Sequence, residues 1–496
     1  MKCDVAVIGA GVGGLATSIL LAQKGYNVSV FEKNAYAGGR CGNFIKDGHR
    51  FDIGATMIMM PGVYSKFYNR IGRNFQEEIE LIRMDPTYRI SFPDGKEFLF
   101  TPSLHGMKEQ IESFEKGGFQ RFLRYMHKCS GSFGLSMKYF LDKNFYNMFD
   151  MINLRNMLLL FKVNAHRNHY TYISKFFRNE ALRYIFSIQN LYIGQNPLSA
   201  SAVFAGLPYI ELSEGVWFPR GGMNTIVQNL LNIAKEHNVK FYFNSFVKEI
   251  EIQHKRATGI LINDSDFHSA ETVIVNADLP YAYNNLLPKN LLTKRMSLLN
   301  YTCSAFVFHW GMDIVYPQLK QHNLFISSDY KDGLRQVFRK KILPEEQTFY
   351  VHSPVRSDHS AAPDGQDSIT AIVQTGHLDS RVKQDWNHMK ELARNGIIKR
   401  LEKEGLKDFK KHIKFEACYS PKTWQNLFNL SNGAAFGSIS HKLTQMGYFR
   451  PHNSHYLYKN LFFTGSNTQP GSGIPLVLLS AMLTTERILK SNGSKS

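Results

Sequence analysis

Cysteine is scarce in this chain of 496 residues: Cys3, Cys41, Cys129, Cys303 and Cys418 are widely scattered, with no CxxC pair. Such a scatter supports neither a disulfide framework nor a zinc site, and it points to a reducing compartment. Long apolar runs are missing too, since none approaches the ~18 residues that suggest a spanning helix. Any membrane association is therefore expected to be peripheral or monotopic. The stretch from Met1 to Gly25 places a lysine ahead of apolar residues, as a signal peptide does. Asp4, Gly9, Gly11, Gly13 and Gly14 interrupt it, and a strand followed by a turn is expected instead.

Acidic residues are the minority, 41 against 59 lysines and arginines, which leaves a net charge of +18. That excess suits a polyanionic partner, either nucleic acid or an anionic membrane surface. No recognisable nucleic-acid module accompanies it, so a nucleic-acid partner is not expected. His166 and His169 stand on an expected helix without an acid at ligand spacing, so no metal site is expected.

What is present is ordinary globular material, 43% apolar and 20% charged, in a chain long enough for two domains interleaved along the sequence. Asp4 to Ile8 reads as a strand buried on both faces, Leu15 to Lys24 as a helix with Gly25 at its C-terminal end, and Asn27 to Glu32 as a second strand. Tyr88 to Phe92 and Lys96 to Phe100 flank Pro93, Asp94 and Gly95 as a hairpin of another sheet. Residues 106–190 read as helical. Strand character returns at Val239 to Phe243, Val247 to Ile252, Gly259 to Ile262 and Thr272 to Val275, which are expected to rejoin the first sheet. Leu461 to Gly465 forms a last strand before a glycine-rich turn and a closing helix after Pro475.

Gly9, Gly11 and Gly14 form GxGxxG between the first strand and the helix. The first glycine permits the tight turn, the second a close approach of a diphosphate, and the third close packing of helix on strand. The helix N-terminus attracts the diphosphate charge. Glu32, ending the second strand, is placed to accept hydrogen bonds from both ribose hydroxyls. This unit alone serves NAD and FAD equally.

Gly38, Gly39 and Arg40 resemble the GGR element of the amine oxidase and phytoene desaturase superfamily of flavoproteins, and Phe51 to Gly54 its next segment. Phe463 to Gly465 and Pro470 to Pro475 resemble its C-terminal flavin motif, whose following helix favours negative charge on reduced flavin. The resemblance implies FAD as cofactor and adds Lys33, Gly39, Arg40, Gly54, Ala55, Val247, Gly465, Gly473, Ile474 and Pro475 to the binding residues Gly9, Gly11, Gly13, Gly14 and Glu32. It implies an α/β fold in which a Rossmann-like FAD-binding domain (residues 1–85, 215–285 and 430–496) interleaves with a mixed α+β substrate domain (86–214 and 286–429). That second domain includes the helical, membrane-facing region 106–190.

Trp217 to Asn224, Asn276 to Pro280, Tyr301 to Phe306 and Gly433 to Gly437 resemble segments of bacterial carotenoid desaturases. With Phe51 to Tyr64 and Leu191 to Gly194 they look most like the thirty-carbon, diapophytoene branch, end to end. The resemblance implies stepwise removal of hydrogen from a colourless polyene, as hydride to flavin and a proton from the neighbouring carbon, with oxygen or a membrane quinone as final acceptor. Ketolases, oxygenases and isomerases of the same fold, forty-carbon desaturases and lipid carriers of the dissociation-inhibitor type share parts of the pattern. The family's basic and acidic cluster is not matched here. Lys138 to Asn147 offers only Lys138, Asp142 and Lys143, so no catalytic residue is assigned.

A thirty-carbon hydrocarbon leaving a bilayer for water costs on the order of 20 kcal/mol at ~0.8 kcal/mol per buried carbon unit. The enzyme is therefore expected to be cytoplasmic and to dock on the inner face of the cell membrane, drawing the polyene into an apolar tunnel. Lys138 to Arg183 interleaves Phe140, Phe145, Tyr146, Phe149, Leu158 to Phe161, Tyr170, Tyr172, Phe176 and Phe177 with Arg155, Lys162, Arg167, Lys175, Arg178 and Arg183. The pattern suits insertion of apolar groups among lipid phosphates, and equally a core face with a solvated basic face.

Overall fold

The computed structural model describes residues 2–263 and 266–493. Two seven-stranded sheets organise it. In the first, strand Lys2–Ile8 runs parallel to Val28–Phe31 on one side and to Asp266–Val275 on the other. Val5, Ala6 and Val7 are fully buried, as a parallel strand covered on both faces requires. Lys240–Tyr242 extends the sheet beyond Val28–Phe31, and Leu461–Phe463 joins it parallel to the end of Asp266–Val275. Val247–Gln253, Arg256–Ile262 and Asp266–Val275 form an antiparallel meander, so the strands expected to rejoin the first sheet do so.

Helix Val12–Ala22 begins earlier than the sequence pattern suggests and takes Gly13 and Gly14 into its first turn. Each glycine costs about 1 kcal/mol relative to alanine through the backbone freedom it gives up in a helix. The benefit is proximity: a Cβ on Gly14 would lie 2.2 Å from the Gly9 carbonyl oxygen. After Ala22 the chain turns through Gly25 at φ +85°, which caps the helix as expected. The closing helix Ile474–Ser491 packs beside Val12–Ala22, with Leu478, Leu479 and Met482 sharing one core with Leu15 and Ile19.

The second sheet runs Ile413–Tyr419, Ser304–Met312, Asp367–Thr375, Phe349–His352, His322–Phe325, Tyr88–Ser91 and Glu97–Phe100. All nine residues of Ser304–Met312 are buried. The hairpin Tyr88–Ser91 and Glu97–Phe100 forms where expected and is tied into this sheet by a parallel pairing with His322–Phe325, more than two hundred residues downstream.

Helices dominate residues 106–190, including Gly118–Ser136 and Leu154–Lys162. No helix among the described residues is long and apolar enough to cross a membrane. The large apolar side chains of this region divide between two fates. Phe145, Tyr172 and Phe177 are buried, the last two in the core that also holds Phe100, Phe122 and Phe186. Phe149, Leu154, Leu158 and Phe161 are 60–78% exposed.

Candidate cofactor and substrate site

Strand register builds the site. Ile8 pairs with Phe31 and with Val275, and Val275 pairs with Phe463. Four parallel strands thus end level, and Gly9, Glu32, Asn276 and Thr464 emerge together at the carboxyl edge, where α/β sheets bind ligands. Helix Val12–Ala22 and helix Ile474–Ser491 both start at this edge and turn their N-termini toward it.

A cavity of about 380 Å³ lies there. Of the residues singled out from sequence, Gly9, Gly11, Gly13, Glu32, Lys33, Gly39, Arg40, Gly54, Ala55, Val247, Gly465, Gly473 and Ile474 line it. Gly14 and Pro475 do not line it; they act one layer below. Gly14 seats the helix on the Gly9 turn, and Pro475 opens the closing helix, where it lacks an N–H that would have had no partner in the helix.

The two ends of the chain meet through Asn276. Its side-chain amide donates to the Gly9 carbonyl (3.2 Å). A Cβ on Gly13 would stand 2.6 Å from Asn276 Oδ1 and 3.2 Å from the Gly465 Cα, and one on Gly11 2.8 Å from Asn276 Nδ2. Only glycine leaves room here for backbone, amide and ligand together.

Glu32 is buried, and its two carboxylate oxygens accept from the N–H groups of Ala10 and Asn34, both at 2.9 Å. Each oxygen retains a lone pair for a ribose hydroxyl. Lys33 reaches away from Glu32 and donates to the Asn426 carbonyl and to Asn429 Oδ1, both at 2.9 Å, and burial lowers its pKa. Arg40 crosses to the C-terminal segment, donating to the Ala435 carbonyl (2.8 Å) and to Ser466 Oγ (2.7 Å). Burial lowers its pKa, with Asp278 opposing. Asp278 in turn accepts from Asn467 Nδ2 (2.6 Å) and from the Ser431 N–H (3.0 Å). Arg40 and Asp278 thereby pin the loops around the glycine run, a role for Asp278 that sequence analysis touched only through the resemblance of its segment.

Beyond Arg40 the wall turns apolar, with Ile53, Ile193, Ala305, Val307, Ile372 and Phe436 beside Tyr192. Behind Tyr192 lies Glu211, fully buried, whose Oε2 accepts from Tyr88 Oη (2.9 Å) and Gln189 Nε2 (3.2 Å) while Oε1 has no partner among the described residues. Tyr192 is a further neighbour of Glu211. Burial without a cation pushes the Glu211 pKa up to about 8. Nothing in its local sequence marked this residue. The stretch that corresponds to the family's basic and acidic cluster, from which no catalytic residue was assigned, lies elsewhere: Asp142 pairs with Lys66, and neither it nor Lys138 nor Lys143 lines the cavity.

The cavity's glycines, donors and acid fit FAD. Two helix N-termini and a glycine cradle suit its diphosphate and ring, and Glu32 its ribose. These features define an FAD-dependent oxidoreductase. A zeta-carotene-forming phytoene desaturase of Myxococcus xanthus is 37% identical over 98% of this chain and 93% of its own length. A 4,4'-diapophytoene desaturase (4,4'-diaponeurosporene-forming) of Staphylococcus haemolyticus is 32% identical over 98% of each. The crystal structure of an oxidoreductase from Methanosarcina mazei superposes with a TM-score of 0.63 at 17% identity, covering 98% of this chain and 100% of that one, and shares the fold. The chain belongs to the flavin containing amine oxidoreductase family, which it matches over residues 12–489, and within it to the carotenoid desaturases.

Proposed function

We propose that this protein desaturates an acyclic carotenoid precursor, lengthening its conjugated system by two hydrogens lost per step. The observation that carries the reading is the cavity itself, in which a dinucleotide cradle continues into a wall of Ile53, Ala305, Val307, Ile372 and Phe436. Such a wall grips a hydrocarbon by area alone and offers no charge to a polar substrate. Bound FAD supplies the two-electron oxidation. The chain's own part is to hold the polyene against the ring, exclude water and keep Arg40 and Asp278 fixed at the glycine loop.

The finer assignment is a thirty-carbon substrate, supported by the likeness of Phe51 to Tyr64 and Leu191 to Gly194 to diapophytoene desaturases. A forty-carbon substrate is the second reading, favoured by the 37% identity to the Myxococcus enzyme. FAD-loaded protein supplied separately with diapophytoene and phytoene in liposomes decides between them. Products lighter by two hydrogens per step are expected, with oxygen or a quinone as the electron acceptor added. A gain of oxygen mass would instead mark an oxygenase.

The protein works at the surface of a membrane, docked through residues 146–161. Phe149 (75%), Leu154 (78%), Leu158 (61%) and Phe161 (60%) project there beside Arg155 and Lys162, which are also exposed. Inserted apolar side chains flanked by cations complement an anionic bilayer surface. In this reading the protein is cytoplasmic and rests on the inner face of the cell membrane.

A further inference from the structure

A second cavity, of about 890 Å³, lies outside the cofactor site. Gly194 lies between the two, since a Cβ added there would stand 2.7 Å from Phe436, which lines the first, and 2.9 Å from Thr302, which lines the second. The second cavity's lining differs sharply from the apolar wall described above. Arg167, Arg339, Lys341, Arg381 and Lys442 contribute to it, against the single carboxylate of Asp379. Asp379 is already taken, since it pairs with both Lys341 and Arg381. Arg167, Arg339 and Lys442 have no acidic partner among the described residues and lie exposed around the opening. Lys442 donates only to Asn300 Oδ1 (2.7 Å). On the floor, His441 is 4% exposed; its Nε2 accepts the Ser472 N–H (3.2 Å), so the neutral ring carries its proton on Nδ1, and Nδ1 has no partner among the described residues.

The neighbourhood of the opening is apolar. His166, which lines the cavity, lies 5.1 Å from the exposed Phe161 ring, with the two planes tilted by 49°. Leu443, another lining residue, is 43% exposed, and Phe449 close by is 41% exposed. The Tyr448 N–H contacts Met151 Sδ (2.8 Å), which ties this segment to the helix carrying Phe149. A cationic cavity thus opens among side chains that suit insertion into lipid.

We propose that this cavity binds the phosphate headgroup of an acidic membrane lipid, with Arg167, Arg339 and Lys442 as its anchors. The inference rests on the docking reading for its setting, but on the cavity's own charge for its chemistry. Unpaired guanidinium and ammonium groups hold a phosphate through charge-assisted hydrogen bonds, and the apolar rim accommodates the acyl chains. A neutral polyene gains nothing from such a lining, so this is a lipid site rather than a second substrate pocket.

The test uses the full chain loaded with FAD and two soluble probes, dihexanoyl phosphatidic acid below its micelle concentration and inorganic phosphate, each titrated by calorimetry. The short-chain lipid is expected to bind at one site, and Arg339→Gln and Lys442→Gln each to weaken it about tenfold. Equal affinity for inorganic phosphate, lost in the same variants, would make free phosphate the ligand and overturn the headgroup assignment. Absence of binding, or variants that bind like the parent, would overturn the site altogether. A separate arm keeps the docking reading distinguishable. Leu154→Ser combined with Leu158→Ser, both exposed and outside the cavity lining, is expected to weaken sedimentation with vesicles of phosphatidylcholine and phosphatidylglycerol while leaving the short-chain titration unchanged. A parent chain that ignores vesicles but binds the soluble lipid would refute docking and uphold the site.

Discussion

Replacing Glu211 by glutamine is expected to raise stability by under about 1 kcal/mol at pH 5 and by several kcal/mol at pH 9. Glu211 is fully buried, faces Tyr88, Gln189 and Tyr192, and meets no cation. Folding therefore raises its pKa from 4.5 to about 8. Below the lower value both states are protonated and nothing is lost. Between the two values the unfolded chain ionises while the folded protein keeps its proton, so stability falls as pH rises, and above about 8 the loss is complete. At about 1.4 kcal/mol per tenfold change in proton activity, the full penalty is on the order of 5 kcal/mol. Glutamine copies the shape and donor of the protonated acid and cannot ionise. Urea unfolding of parent and variant at both pH values isolates the effect, since every other titrating group is common to the two proteins. A variant-minus-parent difference that is the same at pH 5 and pH 9 would refute the burial argument, as would a variant less stable at pH 9.

Gly13→Val would place a side chain against Asn276 Oδ1 and the Gly465 Cα, so the protein is expected to purify without flavin absorbance yet with an unchanged far-ultraviolet circular dichroism spectrum. Glu32→Ala removes the acceptor that its position offers to ribose and should weaken FAD binding by tenfold or more, read from quenching of flavin fluorescence. Arg450 is fully buried and donates to the carbonyls of Thr468 (2.9 Å) and Ser466 (2.6 Å), which places it under the glycine-rich loop. Arg450→Ala strips these carbonyls of their donor and should cost about 2–4 kcal/mol, visible as a lowered thermal midpoint together with faster flavin loss on dilution.

Much of the cofactor site was legible because its determinants are local. A buried strand, three spaced glycines, a helix and an acid at the end of the next strand constrain one another within some thirty residues, and the structure places Gly9, Gly11, Gly13 and Glu32 on one cavity wall. Asn276 was visible only as part of a longer likeness, because its role depends on Asp266–Val275 lying beside Lys2–Ile8 in register. Glu211 gave no signal. Its helix Gly206–Ser213 presents an ordinary polar residue in sequence, and only the surrounding tyrosines, drawn from residues 88 and 192, enclose it.

The aromatic and basic stretch from 138 to 183 marks the limit most clearly. Its pattern predicted both a buried face and a lipid-seeking face, and the folded chain uses the same residue types for each: Phe177 stacks on Phe186 at 4.8 Å, whereas Phe149 faces outward. Side-chain chemistry and short-range spacing alone determined the strand-turn-helix cradle, the ribose acid and the glycine-rich turn into the closing helix. Which distant strands end level, which carboxyl loses its water and which phenylalanines find a partner were decided by tertiary packing, since burial and register belong to surfaces that exist only once the segments have come together.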